Sequence, residues 1–260
     1  MPESLLDAVS AVAAEVGAMA HASWRGDFNS WDKTCGSPVS DIDLAADALL
    51  RERLMAIDPE AGWLSEETAD SADRLNCVRV WVVDPIDGTR DYVRGRRGWA
   101  VSIALVEGGR PLIGVLDAPA RGEHWRAQAG QGATRNGELI RASNRLTLPG
   151  SRVPADVLAR GDADYFVTVG KPNSIALRIA MVAADQADLL ATLSWGHEWD
   201  IAAAALIAQE AGATVTDALG RPLRYNSTRG EQFGVLATAP AIHANAVERL
   251  AQRAAKAVVR

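Results

Sequence analysis

The segment VRVWVVDP, residues 78–85, constrains the fold more than any other stretch of the chain. It is short, β-branched and apolar on both faces, so it reads as a central strand that cannot leave one side to water. A sheet built around it must be covered on both sides, which demands a layered α/β or α+β architecture. The apolar run stops at DPIDGT (84–89), where two aspartates, a proline and a glycine replace it within six residues. A buried strand ending in paired carboxylates is a place where chemistry can be mounted on a rigid support.

The rest of the chain supplies the covering layers. Residues 3–24 carry Leu5, Leu6, Val9, Val12, Ala13, Val16 and Met19 at helical spacing. Ser40 is placed to cap a second helix over DIDLAADALLRERLMAI, bounded by Pro38 and Pro59. A short apolar run at 62–64 leads to Glu66 and Glu67. Strands are expected at 99–109 and 110–119, with Gly108-Gly109 as a hairpin turn, and at 122–128. Residues 129–163 form the loosest part of the sequence. Strands at 164–169, 187–193, 213–216 and 233–238 then alternate with helices at 174–185, 198–212 and 240–257. The expected division is an N-terminal α+β half, 1–150, with most candidate metal ligands, and a C-terminal α/β half, 151–260, with Asp200 and substrate-side residues.

Composition excludes several classes. With 260 residues, 48% hydrophobic and 23% charged, the chain is neither disordered nor collagen-like nor a disulfide scaffold. It is long enough for one large domain or two packed halves. A net charge of −6 argues against coating nucleic acid or an anionic membrane. Cys35 and Cys77 lack metal-ligand spacing and read as free thiols of a reduced compartment. Glu3 and Asp7 near the start, with no basic segment, indicate an amphipathic helix rather than a signal peptide. No unbroken apolar run reaches the ~18 residues of a membrane span. A cytoplasmic protein is expected.

The acidic residues gather at element ends: Asp41 and Asp43, Glu66 and Glu67, Asp84 and Asp87, and Asp200. Carboxylates buried together repel and need a counter-charge, and a hard divalent cation such as magnesium suits an oxygen set. In DPIDGT, Asp84, Asp87 and the Ile86 carbonyl can be aimed at one point. Gly88 allows close backbone approach, the Gly88 and Thr89 amides can hold a phosphate, and the Thr89 hydroxyl can orient a water. Singly, each group has an ordinary reading: a solvated turn, a helix cap for Asp43, surface charge for Glu66 and Glu67, or a dipole-favoured Asp200. Their joint presence with the whole hexapeptide favours phosphoryl chemistry.

WLSEET (63–68), WVVDPIDGTRDYVRG (81–95) and EWDIAAAALIAQEAGATVTD (198–217) resemble the signature segments of the inositol monophosphatase superfamily, and SPVSDID (37–43) looks like its first acidic segment. The resemblance implies an α/β/α/β/α sandwich, often a homodimer. It also implies a magnesium-dependent, lithium-sensitive phosphomonoesterase with two or three ions per site. Glu66, Asp84 and the Ile86 carbonyl would hold the first magnesium. Asp84 would bridge to a second held by Asp87 and Asp200, and Glu66 could reach a third. Thr89 with Asp43 would orient and deprotonate the attacking water, giving Asp43, Thr89 and Glu66 as catalytic candidates. Gly88 and Thr89 would grip phosphate. Lys33 resembles a family lysine, with a solvated lysine as the alternative.

Two departures bear on substrate. Leu193 stands where animal-type enzymes have an inositol-binding glutamate, and Ser174-Ile175-Ala176 replaces a Gly-x-Ala start. Ser174, Ala176 and Asp200 remain substrate-side candidates. A polyol phosphate of the inositol monophosphate type leads, and a 3′(2′),5′-bisphosphate nucleotide follows closely, with histidinol phosphate third. For a nucleotide, Trp195, Trp99 or Trp125 could stack on the base, and Arg90, Arg94, Arg96 or Arg97 could meet the second phosphate. The partner expected is thus a small phosphorylated metabolite. The rivals are a non-catalytic metal- or phosphate-binding regulator and a structural interaction protein.

Overall fold

A computed structural model describes residues 4–33, 38–156 and 161–259. Cys35, Ser37 of SPVSDID, Glu3 of the first helix and positions 157–160 of the loose stretch lie outside the described residues.

In chain order the elements are α1 (Leu5–Ser23), β1 (Ser30–Asp32), β2 (Pro38–Ser40), α2 (Asp41–Ile57), β3 (Gly62–Ser65), β4 (Arg79–Asp87), α3 (Thr89–Val93), β5 (Ala100–Glu107), β6 (Arg110–Ala118), β7 (Glu123–Gln128), β8 (Ala133–Arg135) and β9 (Glu138–Leu139). There follow β10 (Ser151–Pro154), β11 (Phe166–Val169), α4 (Ile175–Ala183), β12 (Leu189–Ala191), β13 (Trp195–His197), α5 (Ala202–Glu210), β14 (Thr214–Thr216), β15 (Glu231–Phe233), β16 (Leu236–Thr238) and α6 (His243–Ala257).

Strand β4 does lie inside a sheet, the seven-stranded β3-β4-β5-β6-β7-β8-β9, in which only β3 and β4 run parallel. Its side chains alternate between two cores, as the two-residue period requires. Trp81 and Val83, with Val101, Ile103, Leu105, Ile113 and Val115, face Val9, Val12, Ala13 and Val16 of α1 and Ala46, Leu50 and Leu54 of α2. Val80 and Val82, with Ala104, Val106 and Leu116, face the apolar residues of α4 and α5. Gly114 of β6 brings α5 close, since a Cβ there would stand 2.6 Å from the Ala203 carbonyl oxygen. A second sheet, β12-β16-β14, packs beyond α4 and α5, and its Leu189 and Leu236 cluster with Ile242 and with Ala246 and Leu250 of α6. The order of layers is therefore α/β/α/β/α.

Helix α1 is long and apolar enough to cross a membrane by length and composition, but four of its apolar residues cover the large sheet. The Gly108-Gly109 hairpin is present, with φ of +56° and +77° at its two turn residues. The loose stretch supplies β8 and β9, which extend the large sheet, and β10, which pairs in parallel with β11.

Two expected elements change their bounds. The strand expected at 233–238 is broken at Gly234, where φ is +63° and a Cβ would lie 2.2 Å from the Thr192 carbonyl oxygen. Its first part, β15, pairs instead with β13, a ribbon that sequence periodicity did not reveal. Helix α5 begins at Ala202 rather than 198, because Glu198 and Asp200 occupy the turn before it.

Candidate active site

The site begins with a defect in β4. Asp84 pairs with Ser102 and Asp87 with Ala100, so β4 spends one residue more than β5 over this interval. In a regular strand, residues three apart point to opposite faces. The extra residue of the bulge turns Asp87 back to the face of Asp84, the face covered by α4 and α5. Pro85 is tolerated here because a bulge has a place for a residue that cannot donate to the ladder. Asp200, in the turn before α5, completes the set, and carboxylate oxygens of Asp84, Asp87 and Asp200 lie within 4.8 Å of one another.

Each carboxylate is held by its own neighbours. The Ile86 N–H donates to Asp84 Oδ1 at 3.0 Å. Asp87 Oδ2 accepts the Ser174 hydroxyl at 2.5 Å and the Ala176 N–H at 2.7 Å, and its Oδ1 accepts the Ile175 N–H at 3.3 Å. The N-terminus of α4 thus grips Asp87. Ser174 and Ala176 are fully buried in this role. These two substrate-side candidates are placed against a cluster carboxylate, with the Ser174 hydroxyl and the Ala176 N–H both donating to Asp87. The His197 N–H donates to Asp200 Oδ2 at 3.4 Å.

The charges are costly as they stand. Burial, reinforced by the carboxylates of Glu66, Asp87 and Asp200, lifts the Asp84 carboxyl well above the usual range. Burial and the charges of Asp87 and Glu66 do the same to Asp200. Burial raises Asp87 to about 6 against the lowering effect of its hydrogen bonds from Ser174 and α4. Three oxygen-donor side chains that resist ionisation together fit a hard divalent cation, which would remove the repulsion.

Asp43 serves two partners with two oxygens. Its Oδ2 closes a capping box, accepting the Ser40 N–H at 2.8 Å and the Ser40 hydroxyl at 2.5 Å. Its Oδ1 lies 3.1 Å from the Thr89 hydroxyl, which also lies 3.0 Å from the Ile86 carbonyl oxygen. The helix-cap reading is correct, and it leaves the second oxygen for Thr89. Burial raises Asp43's pKa against the bonds from Ser40. Asp41 is drawn away to Asn29, accepting its N–H at 3.2 Å and its side-chain amide at 3.1 Å.

Gly88 makes the turn into α3 with φ of +97°. A Cβ there would meet the Gly98 carbonyl oxygen at 2.6 Å and the Ser174 nitrogen at 2.9 Å. Only glycine allows this three-way approach of backbone. Thr89 begins α3; the Asp91 and Tyr92 N–H groups donate to the Gly88 carbonyl at 2.8 and 3.2 Å, and Gly88, Thr89 and Arg90 at the helix start line the cavity.

Glu66 lines the same cavity but stands outside the three-carboxylate cluster. Lys33 reaches Glu66 at 2.9 Å and Glu67 at 2.7 Å. Burial opposes the Lys33 charge, yet the two glutamates hold its pKa above the usual range. Burial raises Glu67 to about 7 in spite of Lys33. Lys33 is thus paired in the cavity wall, not solvated.

The cavity has a volume of about 660 Å³ and runs from the cluster past Arg90 and Arg178 to Trp195, His197 and Trp199. The His197 and Trp199 rings stack 4.2 Å apart at 8°. Trp99 and Trp125 are buried in the core and cannot receive a base, and Trp99 packs edge-on to Tyr92 at 4.9 Å. Of the four arginines singled out, only Arg90 lines the cavity. Arg97 donates to the Ala120 carbonyl at 2.5 Å, and Arg96 lies 3.9 Å from Asp91. Leu193 turns away to pack with Leu189, Leu236 and Phe233.

Sequence reasoning missed Arg178 and Glu198. Arg178 sits on α4 one turn after Ser174 and donates to the Ser174 carbonyl at 3.2 Å and the Asn173 carbonyl at 2.5 Å. Buried Glu198 accepts the Asn226 N–H at 2.6 Å and the Ser227 N–H at 3.1 Å, tying the 226–232 segment to the turn that carries Asp200. A buried-looking Glu two residues before Asp200 was the available signal.

The sequence profile of the inositol monophosphatase family matches residues 1–259. The 3′(2′),5′-bisphosphate nucleotidase CysQ of Escherichia coli strain K12 is 30% identical over 211 residues, covering 74% of this chain and 81% of that protein. Inositol monophosphatase 2 of Solanum lycopersicum is 33% identical over 208 residues, covering 74% and 78%. The solved structure of the Thermotoga maritima IMPase superposes with a TM-score of 0.84 at 28% identity, covering 96% of this chain and 98% of that one. The chain belongs to the inositol monophosphatase family. Its members are phosphatases, hydrolases that use divalent metal ions and act on small phosphorylated substrates, and the acidic cluster described above fits that chemistry.

Proposed function

We propose that this chain is a magnesium-dependent phosphomonoesterase whose substrate carries an aromatic base and a second phosphate, the chemistry of 3′-phosphoadenosine 5′-phosphate. One observation carries the reading: a single cavity joins the Asp84, Asp87 and Asp200 carboxylates to the cationic Arg90 and Arg178 and to the rings of Trp195, His197 and Trp199. Relatives named bisphosphate nucleotidase support it. The polyol reading loses weight because the half-buried Leu193 packs against the second sheet, leaving no acidic group at that position to meet ring hydroxyls. It stays as the second reading, favoured by relatives named inositol monophosphatase and by the Thermotoga maritima structure.

Asp84, Asp87 and Asp200 would hold magnesium, with Glu66 and the Ile86 carbonyl as further oxygens. Bound there, the metal supplies Lewis acidity toward the phosphoryl group and a water acidic enough to act as nucleophile. The chain's own residues do the rest. Thr89 has one hydroxyl proton and two acceptors, Asp43 Oδ1 and the Ile86 carbonyl. When it donates to Asp43 Oδ1, its oxygen can accept a hydrogen bond from a water, and the water's proton can replace the hydroxyl proton as that proton passes to Asp43. The N–H groups at the start of α3 receive phosphate oxygens. Arg178 and Arg90 neutralise the second phosphate, and Trp195 and the His197–Trp199 stack receive the base.

The test is kcat/KM with magnesium for 3′-phosphoadenosine 5′-phosphate, inositol 1-phosphate and histidinol phosphate. The nucleotide is expected to exceed the others at least tenfold. Preference for inositol 1-phosphate would establish the second reading, and no phosphate release from any of them would remove the enzymatic one.

A further inference from the structure

Glu66 and Glu67 project from a four-residue turn, Ser65 to Thr68, that follows β3. Buried Asp47 of α2 accepts hydrogen bonds from both ends of this turn. The Ser65 hydroxyl donates to Oδ1, and the Thr68 hydroxyl donates to Oδ2 at 2.5 Å. The Glu67 N–H in turn donates to the Ser65 hydroxyl at 3.4 Å. No ion pair to Asp47 occurs among the described residues, so its two oxygens are committed to hydroxyls alone. Asp47 is also one helical turn beyond Asp43, whose Oδ1 meets Thr89. One rigid helix therefore sets, through two carboxylates on one face, both the Thr89 hydroxyl and the turn that carries Glu66.

We propose that Asp47 is a positioning residue that aims the Glu66 carboxylate at the metal cavity. It touches neither substrate nor metal. It fixes both ends of the turn, so that Glu66 does not have to be ordered when a cation arrives. Hydrogen-bonding partners behind a ligand commonly control metal affinity in this way. The inference rests on the reading of Glu66 as a metal-facing residue.

The test is calorimetric titration of Mg²⁺ or Mn²⁺ alone into the full-length wild type and into D47A, D47N, S65A and T68A. The half-saturating Mg²⁺ for phosphate release is read in parallel. D47A is expected to weaken metal binding about 10–100-fold. S65A and T68A each remove one bond and should move the dissociation constant the same way by a smaller factor. D47N retains the shape and can meet both hydroxyls, one as acceptor and one as donor, so it should recover most of the affinity. A D47A dissociation constant within twofold of wild type overturns the proposal. So does D47N binding as weakly as D47A, since charge rather than positioning would then be at work. If D47A does not fold, wild-type affinity in both S65A and T68A overturns it. A wild type that binds no metal removes the proposed function as well, whereas normal wild-type binding with unaltered variants removes only the role of Asp47.

Discussion

Replacing Asp87 by Asn should make the metal-free protein more stable while abolishing turnover. Asp87 is buried, and burial raises its carboxyl from 3.8 to about 6. Because the folded pKa lies above the unfolded one, the folded state binds more protons across this window. Stability is greatest below about pH 4 and declines as pH rises through about 6. A shift of roughly two units corresponds to about 3 kcal/mol, fully lost by pH 8 in the absence of metal. Asparagine carries no charge and removes that penalty. Its single oxygen can keep the bonds from Ser174 and Ala176, at 2.5 and 2.7 Å, but gives up the longer one from Ile175 at 3.3 Å. That loss costs about 1 kcal/mol. The net gain is about 2 kcal/mol, or ~4–8 °C in Tm for a chain of this size. Thermal melts at pH 8 with EDTA read it directly. Added Mg²⁺ should raise the wild-type Tm and leave that of D87N nearly unmoved. A D87N variant that melts below wild type in EDTA at pH 8, or that answers Mg²⁺ as wild type does, would refute the reasoning.

Three further outcomes follow from the same geometry. G88A forces a Cβ to within 2.6 Å of the Gly98 carbonyl oxygen at φ of +97°, so it should lower stability by about 2 kcal/mol or more and remove activity from the folded fraction, as read by urea unfolding and phosphate release. L193E should not create an inositol phosphatase: Leu193 packs against the second sheet, so the variant should lose Tm without gaining kcat/KM on inositol 1-phosphate. W195A should lower kcat/KM for 3′-phosphoadenosine 5′-phosphate about tenfold, the worth of one stacked base, and leave that for ribose 3,5-bisphosphate unchanged.

How much of this was legible in the sequence depends on the range of the interaction. The apolar character of residues 78–83 required two covering layers, and the structure has them in α1 with α2 and in α4 with α5. The Gly108-Gly109 hairpin and the Ser40 cap are local, and both are present. The acidic residues could be picked out because carboxylates beside apolar strands are conspicuous. Their convergence could not. The bulge between Asp84 and Asp87 is a relation between β4 and β5, and no property of DPIDGT alone states which residue of β5 lies opposite. Ser174 and Ala176 lie 87 and 89 residues from Asp87, and only the packing of α4 on β4 reveals that they hold it. The β13–β15 ribbon was hidden for a related reason: three residues per strand give too few alternations to register, and the break at Gly234 depends on the approach of Thr192. Trp99 and Trp125 show the converse. Their chemistry suggested stacking on a ligand, but a large ring next to strand residues finds its partners in the core.

The claim on which the account depends is that Asp84, Asp87 and Asp200 form one divalent-metal site. Crystals grown with Mn²⁺, a stand-in for Mg²⁺ visible by anomalous scattering, test it most directly. The account predicts an anomalous peak ~2.0–2.3 Å from oxygens of all three carboxylates. A well-ordered site with no peak among these side chains, at saturating Mn²⁺ and pH 8, would contradict it.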